Sequence, residues 1–339
     1  MRRPRKLAAA ATAAVAVAAV AALAACSSAS APTGSANAAK EAVLKVNLGM
    51  SAGNVDSIPI YIAQQKGYYT KVGLNVVIDT LSGGDASIDA ALDNNSIDIG
   101  DGGMAQWVSD ILRGSIHAKI VAEAAERTYE ILSQPSITSV KQLSGKAFGI
   151  SSPNAADQVF AEAVLAQYGL SPSSVTWVSV GSPASRFAAV SSGHVAAIEA
   201  PVTSIPGSIP NTVALVPASK APVTFISTGF VMNNSFLQAN PKAAKAFLAA
   251  TVMGEAYARA HPAAAAQACS QTGDSPATCQ NAVKELSAST DPWVWSKTMA
   301  VDVTALKQML PAVARVTHGA SLNTPVTSLV DTAVAGTNY

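Results

Sequence analysis

Three cysteines, four histidines and 5% aromatic residues in 339 positions leave little material for metal or redox chemistry. None of His117, His194, His261 and His318 has a second ligand at helical spacing, so no metal site is expected. The chain also lacks a G-x-S-x-G elbow and a Walker loop. Asp98 and Asp101 stand close in sequence, but a spacing of three across a strand-to-helix junction does not set two carboxylates around a substrate. No catalytic residue and no cofactor are expected. Charge is scarce as well, at 13% of residues with a formal net charge of +1. Four of the cations, Arg2, Arg3, Arg5 and Lys6, sit at the extreme N-terminus, and without them the net charge is −3. That leaves no Lys/Arg cluster to line a phosphate backbone, which excludes nucleic acid as a partner.

What the N-terminus does have is a long apolar run. Residues 7–25 are almost purely Ala and Val and end in Leu23-Ala24-Ala25-Cys26. A run of that length can span a bilayer. Small residues directly before a cysteine, however, form a processing pattern rather than a stop-transfer one. Residues 1–26 resemble a bacterial lipoprotein signal with its lipobox, which makes Cys26 the lipidated mature N-terminus. Acyl chains contribute ~0.8 kcal/mol per buried CH₂, so two or three of them anchor a protein stably. The Ser/Ala-rich residues 27–42 read as a flexible tether. The expected location is the outer face of the bacterial cytoplasmic membrane. In that oxidising compartment Cys269 and Cys279, flanking the turn-rich "SQTGDSPAT", are expected to form a structural disulfide. A metal or redox pair would need further ligands or C-x-x-C spacing.

From Val43 onward, strand and helix signals alternate. "VLKVNLGM" reads as a strand, "IPIYIAQQ" as a short helix with Pro59 in its first turn, and Gly67 as its stop. "LNVVID" then reads as a buried parallel strand. The same grammar restarts at "KAFGIS", through the helix "NAADQVFAEAVLAQYGL", the strand "SVTWVSV", the helix "SPASRFAAVSSG" and the strand "VAAIEA". A return strand, "VTFISTGFVMNN", leads to a long helical tail after Asn240-Pro241. The expected fold is α/β, with two lobes that are each a mainly parallel sheet flanked by helices. Ligands of such sheets sit beyond the carboxyl ends of the strands, which puts a ligand cleft between the lobes. The expected division is 43–132 plus 224–339 for lobe 1 and 133–223 for lobe 2.

Loops that follow strands and open helices are where backbone N–H groups face outward. They supply the candidate ligand residues Ser51, Asn54, Ser82, Gly83, Gly84, Gly103, Met104, Ser152, Asn154 and Ser182. The Ser and Asn residues serve equally well as ordinary helix caps. Arg127, near the crossing to the second lobe, either pairs with an anionic head group or bonds a neighbouring glutamate. Glu199, ending a strand, either meets an amine or is solvated or paired with a lysine. Trp107, Tyr129 and Trp177 can stack on a flat ring, although such positions usually belong to the core.

"IPIYIAQQKGYYTKVGLNVVI" resembles the "P-x-Y-x-A-x-x-K-G-[FY]-[FY]-x-x-x-G-L-x-V" pattern of one family of ABC-importer substrate-binding proteins, the nitrate/sulfonate/taurine and thiamine-pyrimidine-precursor group. "ALDNNSIDIGDGG", "ITSVKQLSGKAFGISS" and "SSGHVAAIEAP" resemble its later segments, in order. Asn95 replaces the usual glycine, while Gln142 and Ala196 replace usual aspartates. The resemblance covers residues 43–257 and implies the type II periplasmic-binding fold with hinge closure around a small solute. It implies a monomer that delivers an anionic or zwitterionic solute (sulfonate-, taurine- or nitrate-like) to an ABC permease. The alternatives are a binder of a thiamine pyrimidine precursor or other aromatic heterocycle, an enzyme of the thiamine-pyrimidine synthase type, or a ligand-binding sensor or adhesion protein on the same fold.

Overall fold

A computed structural model describes residues 44–51, 55–81, 85–287, 295–316 and 324–338. The expected lipidation site, Cys26, and the tether lie outside them. The first half of the chain runs β1 (Leu44–Ser51), α1 (Ile58–Gln65), α2 (Tyr68–Lys71), β2 (Leu74–Leu81), α3 (Asp85–Asp93), β3 (Ile99–Gly103), α4 (Met104–Arg113), β4 (Ala118–Glu126) and β5 (Tyr129–Ser133). Next come β6 (Ala147–Ile150), α5 (Ala156–Gln167), β7 (Thr176–Ser179), α6 (Pro183–Ser191), β8 (Ala197–Pro201) and β9 (Val213–Val216). The remainder is β10 (Ile226–Asn233), α7 (Asn234–Ala239), α8 (Pro241–Ala260), α9 (Pro262–Cys269), α10 (Pro276–Leu286), β11 (Val301–Asp302), α11 (Val303–Val316) and β12 (Thr337–Asn338).

Two five-stranded sheets carry the fold, ordered β2-β1-β3-β10-β4 and β7-β6-β8-β5-β9. Strands β1, β2 and β3 pair in parallel, as do β6, β7 and β8. In each sheet the fourth strand, β10 or β5, is antiparallel to both neighbours. Both of these strands enter directly after the chain has crossed from the other sheet. The first crossing falls earlier than expected: Tyr129–Ser133 pairs with β8 and β9, so residues 129–132 belong with the second sheet. The apolar "YEIL" reads equally well as the end of one sheet or the start of the next, and only its pairing decides.

Gly67 ends α1 in the left-handed region, at φ +66°. The strand does not follow at once. A four-residue helix, α2, intervenes and buries Tyr69, which stacks on Phe247 at 5.3 Å and hydrogen-bonds Thr251 Oγ1 at 2.9 Å. Helix α8 lies close against α1 at Gly254, where a Cβ would collide with the Pro59 carbonyl oxygen and press on Ala63. This close approach fixes the N-terminal end of α1. The Cys269–Cys279 disulfide forms, with Cα atoms 5.6 Å apart, and staples α9 to α10.

Of three hydrophobic clusters among the described residues, one belongs to each lobe and the third does not respect the division into sheets. It runs from Trp107 and Ile120 beside the first sheet to Phe148 and Phe160 beside the second. At the crossings the rings of Tyr129, Phe160 and Phe225 meet pairwise at 5.5 to 5.6 Å. Helix α11 packs on both α4 and α5, and Arg315 Nε lies 3.5 Å from Glu162 Oε2.

Candidate functional site

The carboxyl ends of β1 and β3 in the first lobe and of β6, β7 and β8 in the second are where a two-sheet α/β protein offers a cleft. In the first lobe the 3₁₀ turn Val55–Ser57 covers these ends and is wholly buried. Ser57 Oγ donates to Asp101 Oδ2 on β3. Asp56, 6% exposed, accepts a hydrogen bond on Oδ2 from Thr228 Oγ1 of β10 at 3.1 Å, and its backbone oxygen accepts one from Trp295 Nε1 at 3.3 Å. Thr203, in the turn Val202–Ser204 that follows β8, bonds the same carboxylate from the second lobe. Asp56 Oδ1 has no partner. Burial pushes this acid up to about 6, and the two threonine bonds only partly offset the desolvation.

In the second lobe Arg186 of α6 ties three strand ends together. Its Nη2 donates to Glu199 Oε2 at 2.9 Å, Nε to the Glu199 carbonyl at 3.3 Å and Nη1 to the Gly181 carbonyl at 3.1 Å. Asp157 Oδ2 lies 3.3 Å from Nη1. Asp157, in the first turn of α5, also accepts from Ser151 N at 2.5 Å and Ser151 Oγ at 2.7 Å. Glu199 is completely buried and pushed up to about 8 by desolvation, against the pull of Arg186 and with Asp157 and Glu130 adding like charge. Its Oε1 is without a partner, as is Thr128 Oγ1 at the first crossing.

The residues expected from sequence distribute unevenly around this floor. Ser51 ends β1, while Asn54, Ser82, Gly83 and Gly84 lie outside the described residues. Gly103 caps α4 and pairs with Thr228. Ser152, Asn154 and Ser182 are exposed, and Ser182 is a true cap that accepts from Ser185 N. Met104 is fully buried against Gly229 and belongs to the core. Arg127, with φ +55°, is engaged by Glu126 Oε1 at 3.0 Å and Thr224 Oγ1 at 3.0 Å, so meeting an anion would mean giving up local bonds. Glu199 is neither solvated nor lysine-bound, because Arg186 reaches it first. Trp107 and Trp177 are pinned through their indole N–H groups to the carbonyls of Gly229 and Pro172.

Sequence reasoning passed over Asp56, Thr203, Thr228 and Arg186. A signal existed for Arg186: in "PASRFAAVS" the positions 186 and 190 share a helix face, and a cation on an apolar face needs a buried acid. For Thr203 and Thr228 there was none, since their role depends on two distant segments meeting.

The family model described as NMT1/THI5 like matches residues 54–265. No curated protein matches the chain. Among solved structures, the alkanesulfonate-binding protein SsuA from Xanthomonas axonopodis pv. citri, bound to MOPS, superposes with TM-score 0.66 at 15% identity, over 85% of this chain and 98% of that one. The nitrate-binding protein NrtA from Synechocystis PCC 6803 gives 0.62 at 18%, over 86% of each chain. The desulfurization enzyme DSZB gives 0.55 at 13%, over 85% and 96%. At these identities the likeness is one of fold, and that fold, the periplasmic-binding one, hosts binding proteins and an enzyme alike. With 212 consecutive residues matched by the family model, the chain belongs to the NMT1/THI5-like family.

Proposed function

We propose that this chain is an exported solute-binding lipoprotein of an ABC importer, closing its lobes on a small solute that carries an amino group and passing it to a membrane permease. The observation that carries the ligand class is the charge at the strand ends. Asp56, Asp101, Asp157 and Glu199 are all buried there, while Arg186, the guanidinium beside them among the described residues, is already bonded to acids and carbonyls. Helix N-termini attract anions. Here, however, Asp157 sits in the first turn of α5, and Asp56 stands one residue before the Ser57 cap of α1. These acids oppose a bare anion such as nitrate and suit an ammonium or N–H donor. Of the solutes expected from sequence, the zwitterionic, taurine-like kind fits best. A second reading, an aminopyrimidine, rests on the same two unpartnered oxygens, Asp56 Oδ1 and Glu199 Oε1, which suit a ring amino group equally.

Among the described residues both cysteines are taken by the disulfide, so neither is free as a thiolate nucleophile or an iron ligand, and binding is favoured over a synthase-type activity. The test is a thermal-shift comparison at neutral pH. Taurine or 4-aminopyrimidine is expected to raise the Tm, and ethanesulfonate and nitrate to leave it unchanged. A shift produced by nitrate or ethanesulfonate alone would overturn the amine reading. The anchor is tested separately: Cys26→Ser should move the protein from the membrane pellet to the soluble fraction, and retention in the pellet counts against lipidation.

A further inference from the structure

The structure assigns to Asp56 the role of coupling a ligand amino group to lobe closure, an inference that rests on the amine reading above. The carboxylate lies beyond the carboxyl end of β3 and is bonded from both sides of the cleft, by Thr228 of the first lobe and by Thr203 of the second. Its backbone oxygen is fixed by Trp295 Nε1 and its Oδ2 by Thr228 Oγ1, so the side chain is held in place rather than free to swing away. Under these constraints Oδ1 is buried and empty-handed. A buried carboxylate oxygen without a partner is costly, and a donor supplied by the ligand removes that cost.

Two events then reinforce one another. Closure brings the Thr203 hydroxyl to the carboxylate and strips water from Oδ1. An amino group at Oδ1 makes the stripped carboxylate tolerable. Without the ligand, closure buries a charge one bond short of satisfaction, so the open arrangement is favoured. With it, the closed arrangement is favoured, and the ligand shifts the equilibrium because its affinity differs between the two states. Thr203 therefore serves as a positioning residue that acts through Asp56, while Asp56 itself discriminates amino from des-amino solutes.

The test uses the full chain in detergent and two probe pairs that differ by one amino group, taurine with ethanesulfonate and 4-aminopyrimidine with pyrimidine. The wild type is expected to bind the amino member of at least one pair tenfold or more tightly than its partner. Asp56→Asn keeps an acceptor for both threonines but removes the anion, and it should erase that preference, by weakening the amino probe and tightening the des-amino one. Thr203→Val should speed dissociation of the amino probe several-fold. If the wild type shows no preference in either pair, the amine reading itself fails. A wild-type preference that survives Asp56→Asn overturns the role of Asp56 and leaves the amine reading standing. Should Asp56→Asn not fold, Thr203→Val decides, and an unchanged dissociation rate for the amino probe overturns the coupling.

Discussion

Replacing Arg186 with leucine should destabilise the ligand-free protein by about 3–5 kcal/mol, the range for breaking a buried ion pair from one side. The side chain is 4% exposed and serves Glu199, Asp157 and two backbone carbonyls at once. Leucine would leave Glu199 and Asp157 buried as uncompensated acids. Glu199 is pushed to about 8 even with the guanidinium in place, so attraction already falls short of desolvation. Without the guanidinium Glu199 must stay protonated or pull water inward, and Asp157 loses its cation. Urea denaturation at pH 7 measures the loss, and a change below about 1 kcal/mol would show that water reaches the cluster freely. Adding Glu199→Leu to Arg186→Leu should recover part of the loss, because apolar groups of similar volume often replace a buried pair at little cost.

The second large effect has the opposite sign. Asp56→Asn should stabilise the closed, ligand-free protein at pH 7.5 by up to ~3 kcal/mol, at about 1.4 kcal/mol per pK unit, and by less to the extent that opening already relieves the ionised acid. The acid rises from 3.8 to about 6 on folding, so the native state holds its proton more tightly than the unfolded chain. Its contribution to stability is therefore whole below pH 4 and is lost as pH rises through about 6. Asparagine never ionises, so the gain should be present at pH 7.5 and vanish near pH 4. Paired denaturation curves at the two pH values check this, and a variant no more stable than wild type at pH 7.5 would show that Asp56 is not strained when ionised. Glu123 and Glu199, both pushed to about 8, add to the same trend, so the ligand-free protein as a whole should prefer mild acid. In the role proposed for it, Asp56 would exchange stability of its host for function.

The alternation of strands and helices was legible because each element carries its own period and its own stop, as Gly67 and Gly193 show. The helix of residues 68–71 was not, since four residues contain no period, and Tyr69 is held there by Phe247 and Thr251, about 180 positions away. The site was less legible than the fold. Loops that open helices were found because Ser, Asn and Gly mark them, but those residues mark caps just as well, and Ser182 proved to be one. Met104 was a candidate by its place in a loop that opens a helix, yet its side chain turns into the core over a glycine in β10. Asp56 sat in the loop "VDS" as one more polar residue, and nothing in the sequence brings Thr228 and Thr203 to it.

The shared core and the two crossings also bear on how the protein comes apart. A chain that passes between sheets at residues 127–128 and again between Val216 and Ile226, with Arg127 N bonded to Phe225 O at 3.0 Å, joins its halves by two adjacent threads. One thread would permit twisting and sliding, whereas two side by side leave bending as the easy motion. Each half has a cluster of its own, but the Tyr129, Phe160 and Phe225 rings and helix α11 bind both halves at this seam through a third, shared one. Heat should melt them together, as one calorimetric transition in which the lobes behave as parts of a single cooperative unit.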